Sequence, residues 1–190
     1  MNAVTPIAPV LDLLGSNLQP SDLQPSDLTK PELIAVLDLI VKVGPPIEAG
    51  NVQGLSTQGR RRIIPIIGGI FSGVFAGQSL HGRILAAGAD FQMLVSETTA
   101  DLDARYILAL DGDYAGEHIF VTNRAVRRAN AQDTARLVRG ELVDPKQVYF
   151  RCVPSFEVSS PQLHWLTQSI FVGTGIREPD CVRLRFYRMA

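Results

Sequence analysis

From Leu33 to Val43 apolar residues occupy every odd position (Leu33, Ala35, Leu37, Leu39, Val41, Val43), while the even positions include Asp38 and Lys42. A period of two belongs to a half-buried β-strand, whose side chains point alternately to opposite faces. Pro45-Pro46 ends the pattern. Further β-prone runs cover 62–67, 70–75, 79–85, 91–97, 102–110, 118–123, 148–151, 163–172 and 181–188. Gly68-Gly69, Gly73, Gly77, Gly82 and Gly88 punctuate the middle of the chain, as turns, bulges and barrel bends do. Pro65 predicts an edge or a bulge, and Asp111-Gly112 between two β runs predicts a tight hairpin. One short helix is expected over 133–139, with Asp133 as N-cap and Gly140 just past its end.

Many short strands without a βαβ rhythm point to a sandwich or a barrel. Closure hides strand edges, and about eight strands enclose one small ligand. The predicted fold is therefore all-β: a single closed antiparallel β-barrel over 33–190, lipocalin- or streptavidin-like in shape. Residues 1–32 read as a separate Pro-rich extension carrying a tandem Leu-Gln-Pro-Ser-Asp repeat from Leu18 to Asp27. The extension is either flexible or an arm that packs on a neighbouring subunit through Leu11, Leu13, Leu14 and Leu18.

Composition changes this picture little. The 190 residues suit one domain, and 46% hydrophobic with 19% charged residues is ordinary for a soluble globular chain. A net charge of −1 offers no general attraction to nucleic acid or to an anionic membrane. Arg60-Arg61-Arg62 lacks the wider basic field a phosphate-binding patch requires, and reads as a local structural feature. Cys152 and Cys181 form no CxxC, so both are expected as reduced thiols, with a single bridge as the alternative. No apolar run is long enough to span a bilayer, and the first positive charge is Lys30, which argues against a signal peptide. A cytoplasmic protein is expected.

Candidate chemistry narrows by elimination. His81, His118 and His164 lack metal-ligand spacing, so no metal is expected. Gly173-Thr174-Gly175 lacks the third glycine of a dinucleotide loop, and no GK[ST] or G-x-S-x-G occurs. No cofactor is expected. Carboxylates, arginines and phenols inside β segments remain. Asp90 sits at the start of a strand, and Asp103, Arg105 and Tyr106 lie in the hairpin. Alternation puts Asp103, Arg105 and Ile107 on one face and Ala104, Tyr106 and Leu108 on the other. Asp103 and Arg105 are then either a solvated rim pair or the lining of a polar cavity. As catalytic candidates, Asp90 or Asp103 would act as general acid or base, Arg105 or Arg151 as anchor for an oxyanion or carboxylate, and Tyr106 as a supporting donor. Asn123, Arg124, Arg151, Glu157 and Trp165 are candidates for binding substrate.

In order along the chain come Gly59-Arg60-Arg61-Arg62-Ile63-Ile64-Pro65-Ile66, Gly88-Ala89-Asp90-Phe91-Gln92, and Leu102-Asp103-Ala104-Arg105-Tyr106. Val121-Thr122-Asn123-Arg124, the run Tyr149 to Glu157, Trp165-Leu166 and Phe171 to Gly175 follow. Together they resemble the domain-of-unknown-function 3237 family from about Leu33 to the C-terminus. The resemblance implies a compact antiparallel barrel, homo-oligomeric assembly and no known cofactor. It also implies relatives in aromatic degradation or polyketide pathways that rearrange or cyclise small oxygenated molecules. The chain departs from the family at Phe91, where Trp is usual, at Thr167, where Asn is usual, and at Ala125, where Gly is usual. The expected function is a cofactor-independent isomerase, cyclase or hydratase acting on a small oxygenated or aromatic metabolite in secondary metabolism or aromatic catabolism. A non-catalytic small-molecule binder and an oligomeric scaffold are the alternatives.

Overall fold

A computed structural model describes residues 29–190. The readings made for the N-terminal extension lie almost wholly outside these residues. Ten strands follow in order: β1 (Leu33–Val43), β2 (Ile47–Gln53), β3 (Gln58–Phe75), β4 (Gln78–Ile84), β5 (Gly88–Leu94), β6 (Thr99–Leu110), β7 (His118–Arg128), β8 (Tyr149–Val158), β9 (Phe171–Arg177) and β10 (Cys181–Met189). One α-helix, α1 (Ala131–Val138), lies between β7 and β8. Every pairing is antiparallel. The order β1-β10-β9-β8-β7-β6-β4-β3 closes because β1 also pairs with β3. The result is a closed eight-stranded antiparallel barrel with one short helix.

The long strand β3 makes closure possible by changing partners along its length. Its first half pairs with β2 and β5, its second half with β1 and β4. β4 and β5 thus fill the same place in the ring at opposite ends, each pairing with β6. Pro65 marks the exchange: β2 pairing stops at Ile63, and the β1 register shifts beside Val43, opposite Ile66. Gly69 then comes so close to β1 that a Cβ would run into the Ile40 carbonyl oxygen. Its φ of +141° is also one that side-chain-bearing residues avoid.

Several local expectations changed with tertiary context. The runs 62–67 and 70–75 are one strand, and β2 had no sequence signal. Residues 161–166, which take in the first four residues of the predicted run 163–172, form a 3-10 helix capping one end. The Asp111-Gly112 hairpin is a wider turn with a 3-10 segment over Gly112–Tyr114. α1 begins two residues earlier than 133, with Asn130 as its cap accepting the Asp133 N–H at 2.8 Å.

The barrel interior has two halves. Toward the Pro161–Leu166 cap, Leu37, Phe71, Leu80, Leu108, Ile119, Phe156, Phe171 and Phe186 fill it. Phe156 meets Phe171 edge-on at 5.0 Å, and Trp165 of the cap stacks on Phe75 at 3.6 Å. Toward the α1 end the inward positions include Arg62, Asp90, Gln92, Tyr106, Asn123, Arg127 and Arg177.

Candidate active site at the polar end of the barrel

Inward-facing residues of eight strands meet around a small cavity, β1 contributing Val41 and Val43 and β10 contributing Val182 and Leu184. β5 contributes Asp90 and Gln92, β6 contributes Leu102, Ala104 and Tyr106, and β7 contributes Asn123 and Ala125. β3 adds Ile64 and Ile66, β8 adds Phe150, and β9 adds Arg177. The volume open to the centre of a water molecule is about 40 Å³, enough for a few waters and too small for an aromatic ring. Outside it, a mouth chamber of about 290 Å³ lies between α1, the β1–β2 connection and the β9–β10 turn. The two spaces share Val43, Gln92 and Arg177 as walls.

Asp90 interrupts the β5–β6 ladder. Pairing is absent between Asp90↔Ala104 and Met93↔Asp101, and the Asp103 N–H in that gap donates to Asp90 Oδ1 at 3.1 Å. Gln92 Nε2 donates to the other carboxylate oxygen at 2.7 Å. Asp90 keeps some accessible surface because it borders the cavity, while protein surrounds it elsewhere. Burial raises its pKa; the Gln92 bond, the Arg127 charge and the Asp103 amide oppose this without reversing it.

Tyr106 is 1% exposed, and its hydroxyl has no hydrogen-bond partner among the described residues. Burial, then the proximity of Cys152 and Asp90, pushes the phenol well above its usual value, so it remains a proton donor. Asn123, directly across the ladder from Ala104, is also buried, and its Oδ1 is likewise unpartnered. Two orphaned polar atoms beside one cavity are the signature of a place built for water or ligand. Cys152 is free, and burial pushes its thiol up to about 12, which removes it as a thiolate nucleophile.

Asp90, Tyr106 and Asn123 are thus the sequence-predicted residues that the fold brings together. Asp103 and Arg105 face outward and form the rim pair, Nη2 to Oδ2 at 3.1 Å, with the Arg105 side chain 57% exposed. Arg124 and Arg151 line a different space, an outward groove of about 610 Å³ over β7–β9. There Arg124 lies 3.6 Å from Asp101, and Arg151 sits over the Tyr149 ring at 5.3 Å. Glu157 is exposed on the outer face of β8. Trp165 lies in the opposite cap, away from the cavity. Gln92, Arg62, Arg127 and Arg177 also face this end of the barrel, although strand alternation had not singled them out. Gln92 and Arg62 share parity with Asp90 and with Ile64 and Ile66, a usable signal. Arg127 lay beyond the predicted end of its strand. Among the described residues, no group of three or more metal-ligating side chains converges.

Fold and cavity together define a small closed antiparallel barrel with ionisable groups sealed in one end. The chain belongs to the family described as protein of unknown function (DUF3237), which matches residues 31–189. An uncharacterised UPF0311 protein of Clostridium acetobutylicum is 34% identical over 155 residues, covering 82% of this chain and 92% of that protein. The crystal structure of a conserved protein of unknown function from Rhodopseudomonas palustris superposes with a TM-score of 0.73 at 34% identity, covering 86% and 99% of the two chains. A β-barrel-like protein from Acinetobacter baumannii gives 0.70 at 35% identity, covering 86% and 98%. An enzyme from Penicillium herquei shares the fold at a TM-score of 0.56 and 18% identity, covering 86% and 97%.

Proposed function

We propose that the polar end of the barrel is the active site of an enzyme that moves a proton on a small oxygenated or aromatic metabolite, by isomerisation, cyclisation or hydration. The observation that carries this reading is that Tyr106, whose buried hydroxyl is unpartnered, and Asp90 line the same cavity. A carboxyl group whose proton affinity is raised by burial is a better base than a solvated one, and it is matched to carbon acids nearer neutral pH. In the simplest case Asp90, ionised, takes a proton from carbon next to a carbonyl. The electron pair moves onto the carbonyl oxygen, where the Tyr106 O–H donates to it. Asp90 then returns the same proton to another atom of the conjugated system, so no external oxidant or reductant is consumed. The 40 Å³ cavity admits only the reacting end of the molecule, the rest occupying the mouth chamber. That a fold neighbour is described as an enzyme is compatible with this reading and says nothing of the reaction here.

The test is deuterium exchange in D2O, followed by proton NMR, over a panel of small enolisable ketones and keto acids. Wild-type protein should catalyse exchange at carbon for at least one class, and Asp90→Asn should abolish it while leaving binding largely intact. A panel bound by wild type with no exchange would instead establish a carrier barrel.

A further inference from the structure

Four arginines, Arg62, Arg127, Arg139 and Arg177, face the mouth chamber. Three have partners. Arg62 Nε lies 2.8 Å from Glu48 Oε1, although off the line of a hydrogen bond, and its Nη2 donates to the Val138 carbonyl at 3.3 Å. Arg139 pairs with Glu141 at 2.6 Å. Arg177 donates to the carbonyls of Glu178, Pro179 and Cys181. Arg127 differs: it is 4% exposed and makes no ion pair or hydrogen bond among the described residues. Burial lowers its pKa to about 10, so it is still a cation at neutral pH, and the nearby Arg177 and Arg62 charges act in the same direction. Asp90 supports that charge from the cavity side, and Asp180 is the carboxylate that lines the chamber itself.

A largely enclosed guanidinium without a fork-shaped partner is well matched to a planar anion, in the chamber it faces, that accepts two parallel N–H bonds. We propose that Arg127, assisted by Arg62 and Arg177, is a carboxylate-binding collar that takes the acid group of a small organic acid. This rests on the reading of the inner cavity as a reaction site, because the collar fixes one end of the ligand while the other reaches Asp90 and Tyr106. The chamber of about 290 Å³ suits a molecule of this size, and walls such as Val43, Pro45, Pro46 and Leu137 suit an apolar body. The ligand class is thereby narrowed to carboxylic acids whose opposite end carries a carbonyl, enol or phenol.

Isothermal titration calorimetry with sodium benzoate, benzyl alcohol and phenyl phosphate tests the collar. Benzoate should bind saturably, benzyl alcohol should not, and phenyl phosphate should bind no tighter than benzoate. Arg127→Gln should weaken benzoate at least tenfold, Arg127→Lys by less, and the outward-facing Arg124→Gln should match wild type. Arg127→Met should melt no lower than wild type without ligand, since the deleted guanidinium has no protein hydrogen bond to lose, and should lose the benzoate response. Tighter binding of phenyl phosphate overturns the carboxylate assignment. No benzoate binding at about 10 mM, or a large fall in melting temperature for both Arg127→Gln and Arg127→Met, overturns the collar. The two proposals fail separately. Benzoate binding that Asp90→Asn retains, with no proton exchange by wild type, removes the enzyme and keeps the collar. Proton exchange as fast on neutral ketones as on keto acids, and undiminished in Arg127→Gln, does the reverse.

Discussion

The two ends of this barrel are built from the same strands, yet they solve the interior problem in opposite ways. At the Pro161–Leu166 end, Phe71, Phe156, Phe171 and Phe186 meet leucines from every side, and an aromatic stack of Phe75 and Trp165 closes the top. At the α1 end, Phe150 and a few aliphatics are interleaved with Asp90, Gln92, Tyr106, Asn123 and three arginines. Apolar burial stabilises by about 25 cal/mol per Å² and needs no partner, whereas each buried polar group must be satisfied or it costs stability. One end therefore secures the fold, leaving the other able to carry orphaned polar atoms and a guanidinium without an ion-pair partner. Glycines on β9 serve the polar half: a Cβ on Gly175 would lie 2.7 Å from the Phe150 ring, and one on Gly173 would lie 2.6 Å from Cys152 Sγ.

The contrast makes testable demands. Phe186→Ala, at a fully buried position facing Phe156, should cost about 3–5 kcal/mol in chemical denaturation. A loss below about 1 kcal/mol would mean that the apolar end does not anchor the barrel. Asp90→Asn should reduce proton exchange by about 10²-fold or more while the protein remains folded.

The same Asp90 variant has a pH signature. In the fold the carboxyl binds its proton more tightly than in the unfolded chain, where its pKa is near 3.8. Its contribution to stability is thus complete below that value and is lost as pH rises through the folded pKa. Wild-type stability should fall with rising pH over that window relative to Asp90→Asn. Parallel pH curves for the two proteins would show that burial does not raise the Asp90 pKa.

Tyr106→Phe should lower exchange about tenfold and leave the melting temperature unchanged or slightly higher, because the deleted hydroxyl has no protein partner. A clear drop in melting temperature would reveal a structural role for the hydroxyl. The smallest effect belongs to the outward pair: Asp103→Asn and Arg105→Gln should alter neither exchange nor melting beyond replicate scatter. A tenfold rate loss in either would move the site to the outer face.

Strand content was legible because period-two patterning is a local property. Leu33–Val43 is the clearest case, its strand running over the predicted residues. Sorting of faces was also legible, since Asp103 and Arg105 share one face of β6 and Tyr106 the other. Strand ends were less so. β7 continues five residues past Asn123 to Arg128, and those residues carry Arg127 inward. A run of charged residues, Arg124, Arg127 and Arg128, does not look like strand until its partners on β6 and β8 are in place. β2, with Gly50 and Asn51 at its centre, is held chiefly by pairing with β3.

Local alternation, turn residues and glycine placement were enough to determine an antiparallel β fold and which side chains share a face, because each depends on neighbours one or two residues away. Which face is the inside depended on closure, since a sheet has no interior until its last strand returns to its first. Only the closed barrel put Asp90 of β5 and Tyr106 of β6 around one cavity with Arg127 of β7 in the adjoining chamber, and left Asp103 and Arg105 on the outer face. Burial, which shifts the pKa values of Asp90, Tyr106 and Arg127 and leaves the Tyr106 hydroxyl without a partner, is a property of that enclosure rather than of any residue.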